Sequence, residues 1–162
     1  MSTQKGVPEG FRTITASLVV NDGKAAIDFY KRAFGAEQIF LMTSPDGKVA
    51  HAELKIGDSI IFLNDEYPQS RARSPKALGG TTGGLQIYVE DCDALYDRAM
   101  AAGTTSISKP IDMFWGDRWS AVEDPFGHVW SISTNKEKLS ESEIARRQAE
   151  FWKQMQTAEV KK

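Results

Sequence analysis

His51 and Glu53 have the residue types and the spacing for proton chemistry. They lie in VAHAELKI (residues 49–56), where Ala52, Leu54 and Ile56 alternate with His51, Glu53 and Lys55. In a strand, that alternation sends the apolar set under a helix and the polar set to the opposite face. An imidazole beside a carboxylate on such a face suits general acid or base catalysis. A structural reading stands beside the catalytic one: Glu53 pairs with Arg118 or Lys55, and His51 satisfies a buried hydrogen bond. A related stretch, EDPFGHVWSIS (residues 123–133), follows 70 positions after ELKIGDSIIFLND (residues 53–65), making Glu123 the expected counterpart of Glu53. His128 alternates with Trp130 and Ile132, opposite in direction to Ser131, and reads as structural. Arg118 either meets an anionic substrate group or pairs with Asp117 or Glu123. Trp115, Trp119, Phe62 and Tyr88, with Thr15, Ser17 and Gln86 as polar points, suit the lining of a cavity for a flat, partly apolar molecule. The alternative is a filled core. Cys92, among Glu90, Asp91 and Asp93, is not expected to be catalytic.

The elements that must position these groups repeat. Residues 13–20 (TITASLVV) read as a strand, and Asp22 can cap a helix in which Ile27, Tyr30, Lys31 and Phe34 share a face. Gly35 stops it, and residues 38–43, 49–56 and 59–63 read as strands. Residues 85–89 begin the pattern again, with Asp91 as helix cap, Leu95, Ala99 and Ala102 on one helix face, Gly103 as its stop, and extended segments at 105–111 and 117–122 before the DPFG turn. The expected fold is α+β: two tandem β-α-β-β-β modules (residues 11–66 and 85–134) forming an open, barrel-like mixed sheet. A linker or lid (residues 67–84) joins them, and an amphipathic helix (residues 138–157) follows, opened by the capping box Ser140–Glu143.

The 162 residues suffice for one domain or two small modules with a shared core. A net charge of −2 gives no electrostatic reason to expect nucleic acid or an anionic membrane as partner. One cysteine rules out an internal disulfide, and neither a signal core nor a membrane-spanning run is present, so a soluble cytoplasmic protein is expected.

LVVNDGKAAIDFYKRAFGAE in the first module and DPFGHVWSI closing the second resemble the vicinal-oxygen-chelate superfamily of glyoxalase I, bleomycin-resistance proteins, fosfomycin-resistance enzymes and extradiol dioxygenases. AHAELKIGDS and FWGDRWSAVEDPFGHVWSI resemble its PhnB-like branch most. The resemblance implies metal ligands on the first and last strand of each module. Those positions fall here at Thr15, Phe62, Gly84 and Ser131, which offer no His/Glu set, so no metal and no other cofactor is expected. A divalent ion enters only if that placement is out of register. The function expected first is metal-free binding of a small, partly aromatic ligand by Thr15, Ser17, Phe62, Gln86, Tyr88, Trp115, Arg118, Trp119, Glu123 and Ser131, in a homodimer. The alternative is a lyase, isomerase or dioxygenase using His51 and Glu53. An interaction module acting through the last helix ranks third.

Overall fold

The computed structural model describes residues 5–159. The first module is β1 (Ala16–Val20), α1 (Gly23–Phe34), β2 (Glu37–Thr43), β3 (Val49–Ile56) and β4 (Ser59–Asp65), and the second is β5 (Gly84–Tyr88), α3 (Cys92–Ala102), β6 (Thr105–Asp112), β7 (Asp117–Glu123) and β8 (Val129–Asn135). Helix α2 (Pro75–Leu78) lies in the linker, and α4 (Glu141–Glu159) follows the second module. Each module forms its own four-stranded sheet, ordered β1-β4-β3-β2 and β5-β8-β7-β6. In each, the first strand runs parallel to the last and the other neighbours are antiparallel. The α+β architecture is the expected one, with two separate sheets and no closed barrel among the described residues.

Both principal helices begin as their sequences require. Asp22 accepts from Ala25 N–H at 3.0 Å and Asp91 from Ala94 N–H at 2.9 Å, each carboxylate satisfying a donor of the first turn. Gly35 and Gly103 end them in the left-handed conformation. Helix α1 buries Ile27, Tyr30 and Phe34 but also Ala26, Phe29 and Ala33. On α3 the buried residues are Cys92, Tyr96 and Ala99, while the expected Leu95 and Ala102 are half-buried. Each helix covers one face of its own sheet, and α1 packs against α3, so Leu54, Leu63, Val122, Trp130 and Ile132 belong to one core shared by both modules.

A buried carboxylate ties the modules together. Asp124, 2% exposed, accepts from Tyr30 OH on α1 at 2.7 Å, Trp130 Nε1 at 2.9 Å, Phe126 N–H at 2.8 Å and His128 N–H at 3.0 Å. Burial, then the Asp124 charge, holds the Tyr30 hydroxyl well above the usual tyrosine range, so it stays a donor. His128 Nε2 lies 3.0 Å from Val19 O, the structural role expected of it.

The linker is held rather than loose. Glu66 accepts from Ser74 Oγ at 2.6 Å and Ser74 N–H at 3.0 Å and also pairs with Arg73, holding its carboxyl down at about 2, with the Ser74 hydroxyl as the largest cause. Pro75 rests on Gly127, where any Cβ would come within 2.8 Å of the proline, and where φ is +89°. At the other end, Ser140 caps α4 through Glu143 N–H at 3.2 Å. The Glu143 carboxylate turns to Arg146 and Arg147 instead of closing a capping box. Phe151 meets Phe114 at 5.3 Å, whereas Trp152 and Met155 remain exposed.

Asp124→Ala leaves Tyr30 OH, Trp130 N–H and two backbone donors without their acceptor, and should cost about 3 kcal/mol in urea denaturation, against about 1 kcal/mol for Tyr30→Phe. Equal, small losses would mean that the carboxylate is not the tie. Cys92, 1% exposed, donates to Ile132 O at 3.2 Å, and burial pushes its thiol above the usual range. Its reaction with a disulfide reagent should therefore follow unfolding, and rapid reaction of the native protein would contradict this placement.

Candidate functional site

Helices cover one face of each sheet, so the opposite face is where accessible side chains gather. On the first sheet the strand registers place Ser17 opposite Phe62, Phe62 opposite Glu53, and Glu53 opposite Phe40. These four residues therefore form a row across β1, β4, β3 and β2, all on the open face. His51 lies one pair further along β3, its Nε2 3.5 Å from Glu53 Oε1. Its ring centroid is 4.7 Å from Phe62 and 6.1 Å from Phe40, and Phe11 stands 5.8 Å from Phe62. Ala52 and Leu54 are fully buried on the helix side while His51 and Glu53 are half-buried, the division that alternation requires. Phe40 and Phe11 were not legible as site residues. Phe40 sits in EQIFLMT, an apolar run without alternation, and Phe11 reaches the face from outside the repeat.

The equivalent row on the second sheet is Gln86, Ser131, Ala121 and Ser108. Small side chains stand there where the first sheet carries two phenyl rings and a carboxylate. Gln86 Nε2 donates to Ser133 Oγ at 2.8 Å. The next row holds Tyr88, Ser133, Trp119 and Ile111, with Tyr88 OH donating to Asp117 at 3.1 Å. Thr15 is half-buried just ahead of β1.

Two expectations are corrected by this geometry. Glu123 is not the counterpart of Glu53. It pairs with Val129, in the row whose first-sheet equivalent holds Lys55 opposite Ile60, whereas the position of Glu53 is taken by Ala121. The cause is turn length: β3 and β4 close through Gly57-Asp58, whereas residues 124–128 join β7 to β8. Arg118 does not join the open face. It shares the helix-facing parity of Ser120 and Val122, and donates to both Asp93 oxygens at 2.8 Å and to Asp112 at 3.3 Å. It thus pairs with neither Glu53, Asp117 nor Glu123. Trp115 lies in the β6–β7 turn, 4.9 Å from Phe114, the ring that meets Phe151 of α4.

The metal positions that the family resemblance implies were Thr15, Phe62, Gly84 and Ser131. Gly84 has no side chain, and the Phe62 ring packs on His51 and Phe11, so these residues do not fit a divalent ion. Among the described residues no three His, Cys, Asp or Glu side chains converge to hold one. A cleft of ≈ 780 Å³ lies elsewhere, on the seam between modules, lined by Phe34, Ile61, Ile87, Leu95 and Trp130. Of the expected residues only Gln86 and Tyr88 reach it, and His51 and Glu53 do not. Two shallower hollows flank α2, one beside Ser17, Val19 and His128 and the other beside Glu123 and Val129. No helix among the described residues is long and apolar enough to cross a membrane.

The same architecture recurs in known proteins. The family model described as Glyoxalase/Bleomycin resistance protein/Dioxygenase superfamily matches residues 12–132. An uncharacterized protein of Mycobacterium tuberculosis is 40% identical over 134 residues, covering 81% of this chain and 79% of that one. The structure of a gene product from Arabidopsis thaliana aligns with a TM-score of 0.62 and 25% identity, over 76% of this chain and 98% of that chain. The PhnB protein from Bacillus cereus aligns with a TM-score of 0.59 over 76% of this chain and 99% of that one, at 16% identity a likeness of fold alone. With its paired β-α-β-β-β modules and a match running from ahead of β1 into β8, the chain belongs to the glyoxalase/bleomycin resistance protein/dioxygenase superfamily.

Proposed function

We propose that this chain binds a small, partly aromatic molecule on the open sheet faces, without a metal ion. The observation that carries this reading is the row Ser17–Phe62–Glu53–Phe40, with His51 and Phe11 against it, placed where the family implies a metal ligand and this chain has Phe62. Phenyl faces with a few polar points recognise flat organic molecules through area and edge contacts. The small residues Ser131, Ala121 and Ser108 would leave the opposing wall room for such a guest, with Gln86 as a polar point beside them. Of the family's branches, the PhnB-like one fits the motifs best. The single unbridged cysteine accords with a cytoplasmic location.

The open faces call for a second copy. On β2, Ile39, Phe40, Leu41 and Met42 are all exposed, Phe40 and Met42 by nearly half, and β6 likewise exposes Ile107 and Ile111. Edge strands with this much apolar surface are normally covered. The chain is accordingly a homodimer in which one wall of the site can come from each copy. Small-angle scattering should return twice the chain mass, and a compact monomer at micromolar concentration would remove the assembly.

A second reading has its own observation. The 3.5 Å approach of His51 to Glu53 on an accessible face suits acid–base catalysis in a lyase or isomerase, or a dioxygenase reaction. The readings separate by experiment. Under the first, planar aromatic compounds raise the melting temperature, Phe62→Ala lowers their affinity roughly tenfold, and added Zn²⁺, Ni²⁺, Mn²⁺ or Fe²⁺ leaves the melt unchanged. Stoichiometric metal in the purified protein, or turnover abolished by His51→Ala in a folded protein, would transfer it to the second.

A further inference from the structure

We infer that the open face of the first sheet selects an organic cation, with the positively charged nitrogen of the ligand seated against Glu53 between Phe40 and Phe62. This rests on the binding reading above and adds the charge of the ligand to it. Glu53 is the middle member of its row: Phe40 is its direct partner on β2 and Phe62 its direct partner on β4. A carboxylate is thus flanked on both sides by phenyl rings on the same face. The His51 ring closes one end, 4.7 Å from Phe62 and 6.1 Å from Phe40, and Phe11 adds a third phenyl 5.8 Å from Phe62.

The carboxylate has acceptor capacity to spare. His51 Nε2 approaches it at 3.5 Å, longer than a normal hydrogen bond, and its side chain is 23% exposed. Aromatic faces attract a cation and offer nothing to an anion, and a partly desolvated carboxylate among them strengthens the same preference. Quaternary or protonated amines carrying an apolar body match this combination, because the body meets the rings while the charge meets Glu53. Lys55 is the competing positive group on that face. It lies in the next row, opposite Glu37 and Ile60, with its side chain in solvent. Arg12 is drawn aside to Asp58 at 4.0 Å.

The test compares three probes of similar shape on the full chain: phenyltrimethylammonium, its neutral counterpart tert-butylbenzene, and the anion benzenesulfonate, each titrated by ligand-detected NMR. The expected result is tightest binding of the cation, with roughly a tenfold preference over the neutral compound, the size of a partly desolvated cation–π and charge contact. Glu53→Gln should bring the cation close to the neutral compound, and Phe40→Ala should weaken it, both with unchanged melting curves. If the neutral or anionic probe binds as well as the cation, the charge selection is overturned while the aromatic binding reading stands. Cation binding that is indifferent to Glu53→Gln overturns the assignment to this face. If no probe binds, the inference falls, and the binding reading falls with it only when the wider aromatic screen is also negative.

Discussion

The carboxylate of Asp124 is the constraint on which the arrangement of this molecule rests. It is buried in the shared core and has four donors, one of them on the first module's helix. A buried charge is tolerable only when its acceptor sites are filled, so Tyr30, Trp130 and the turn backbone must all come to it. That requirement sets α1 against the β7–β8 turn. The seating of Pro75 on Gly127 then brings the linker to the same turn, with Glu66 holding its other side. The segment between the modules thus makes contacts with both of them.

The modules match in topology and differ in chemistry. Their first and last strands pair in equivalent registers, Ser17 with Phe62 and Gln86 with Ser131. Beyond that pair the second module has a longer turn, so identical residues no longer occupy equivalent positions. Glu53 corresponds to Ala121 and Lys55 to Glu123. The result is a row of two rings and a carboxylate on one sheet where the other has Ser131, Ala121 and Ser108, with the rings Tyr88 and Trp119 in the next row. Phe62, which stands where the family resemblance implies a metal ligand, is also the ring that packs on His51.

The apolar cleft on the seam and the polar pair on the open face lie apart, for a reason visible in the packing. Leu95 and Leu85 are only half-buried, because α3 buries Cys92, Tyr96 and Ala99 and leaves the β5 flank thinly covered. This is a space left by helix packing. The open face is shaped by side chains arriving from four strands.

The sequence by itself determined the elements of this protein and the faces of its strands. Caps at Asp22 and Asp91, stops at Gly35 and Gly103, and the DPFG turn act over a few residues, and the side-chain period of two put His51 and Glu53 on one accessible face. It also held the parity that sends Arg118 with Val122 toward α3. The tertiary structure alone decided which residues stand across from one another. Phe40 and Phe62 flank Glu53 because of strand register, which depends on turn lengths and on irregular pairing in β2, between Gln38 and Phe40. The bond from Tyr30 to Asp124 joins residues 94 positions apart, and the seat of Pro75 on Gly127 is likewise distant in sequence. Local periodicity carries no information about such encounters, because they are settled by which surfaces must be buried together.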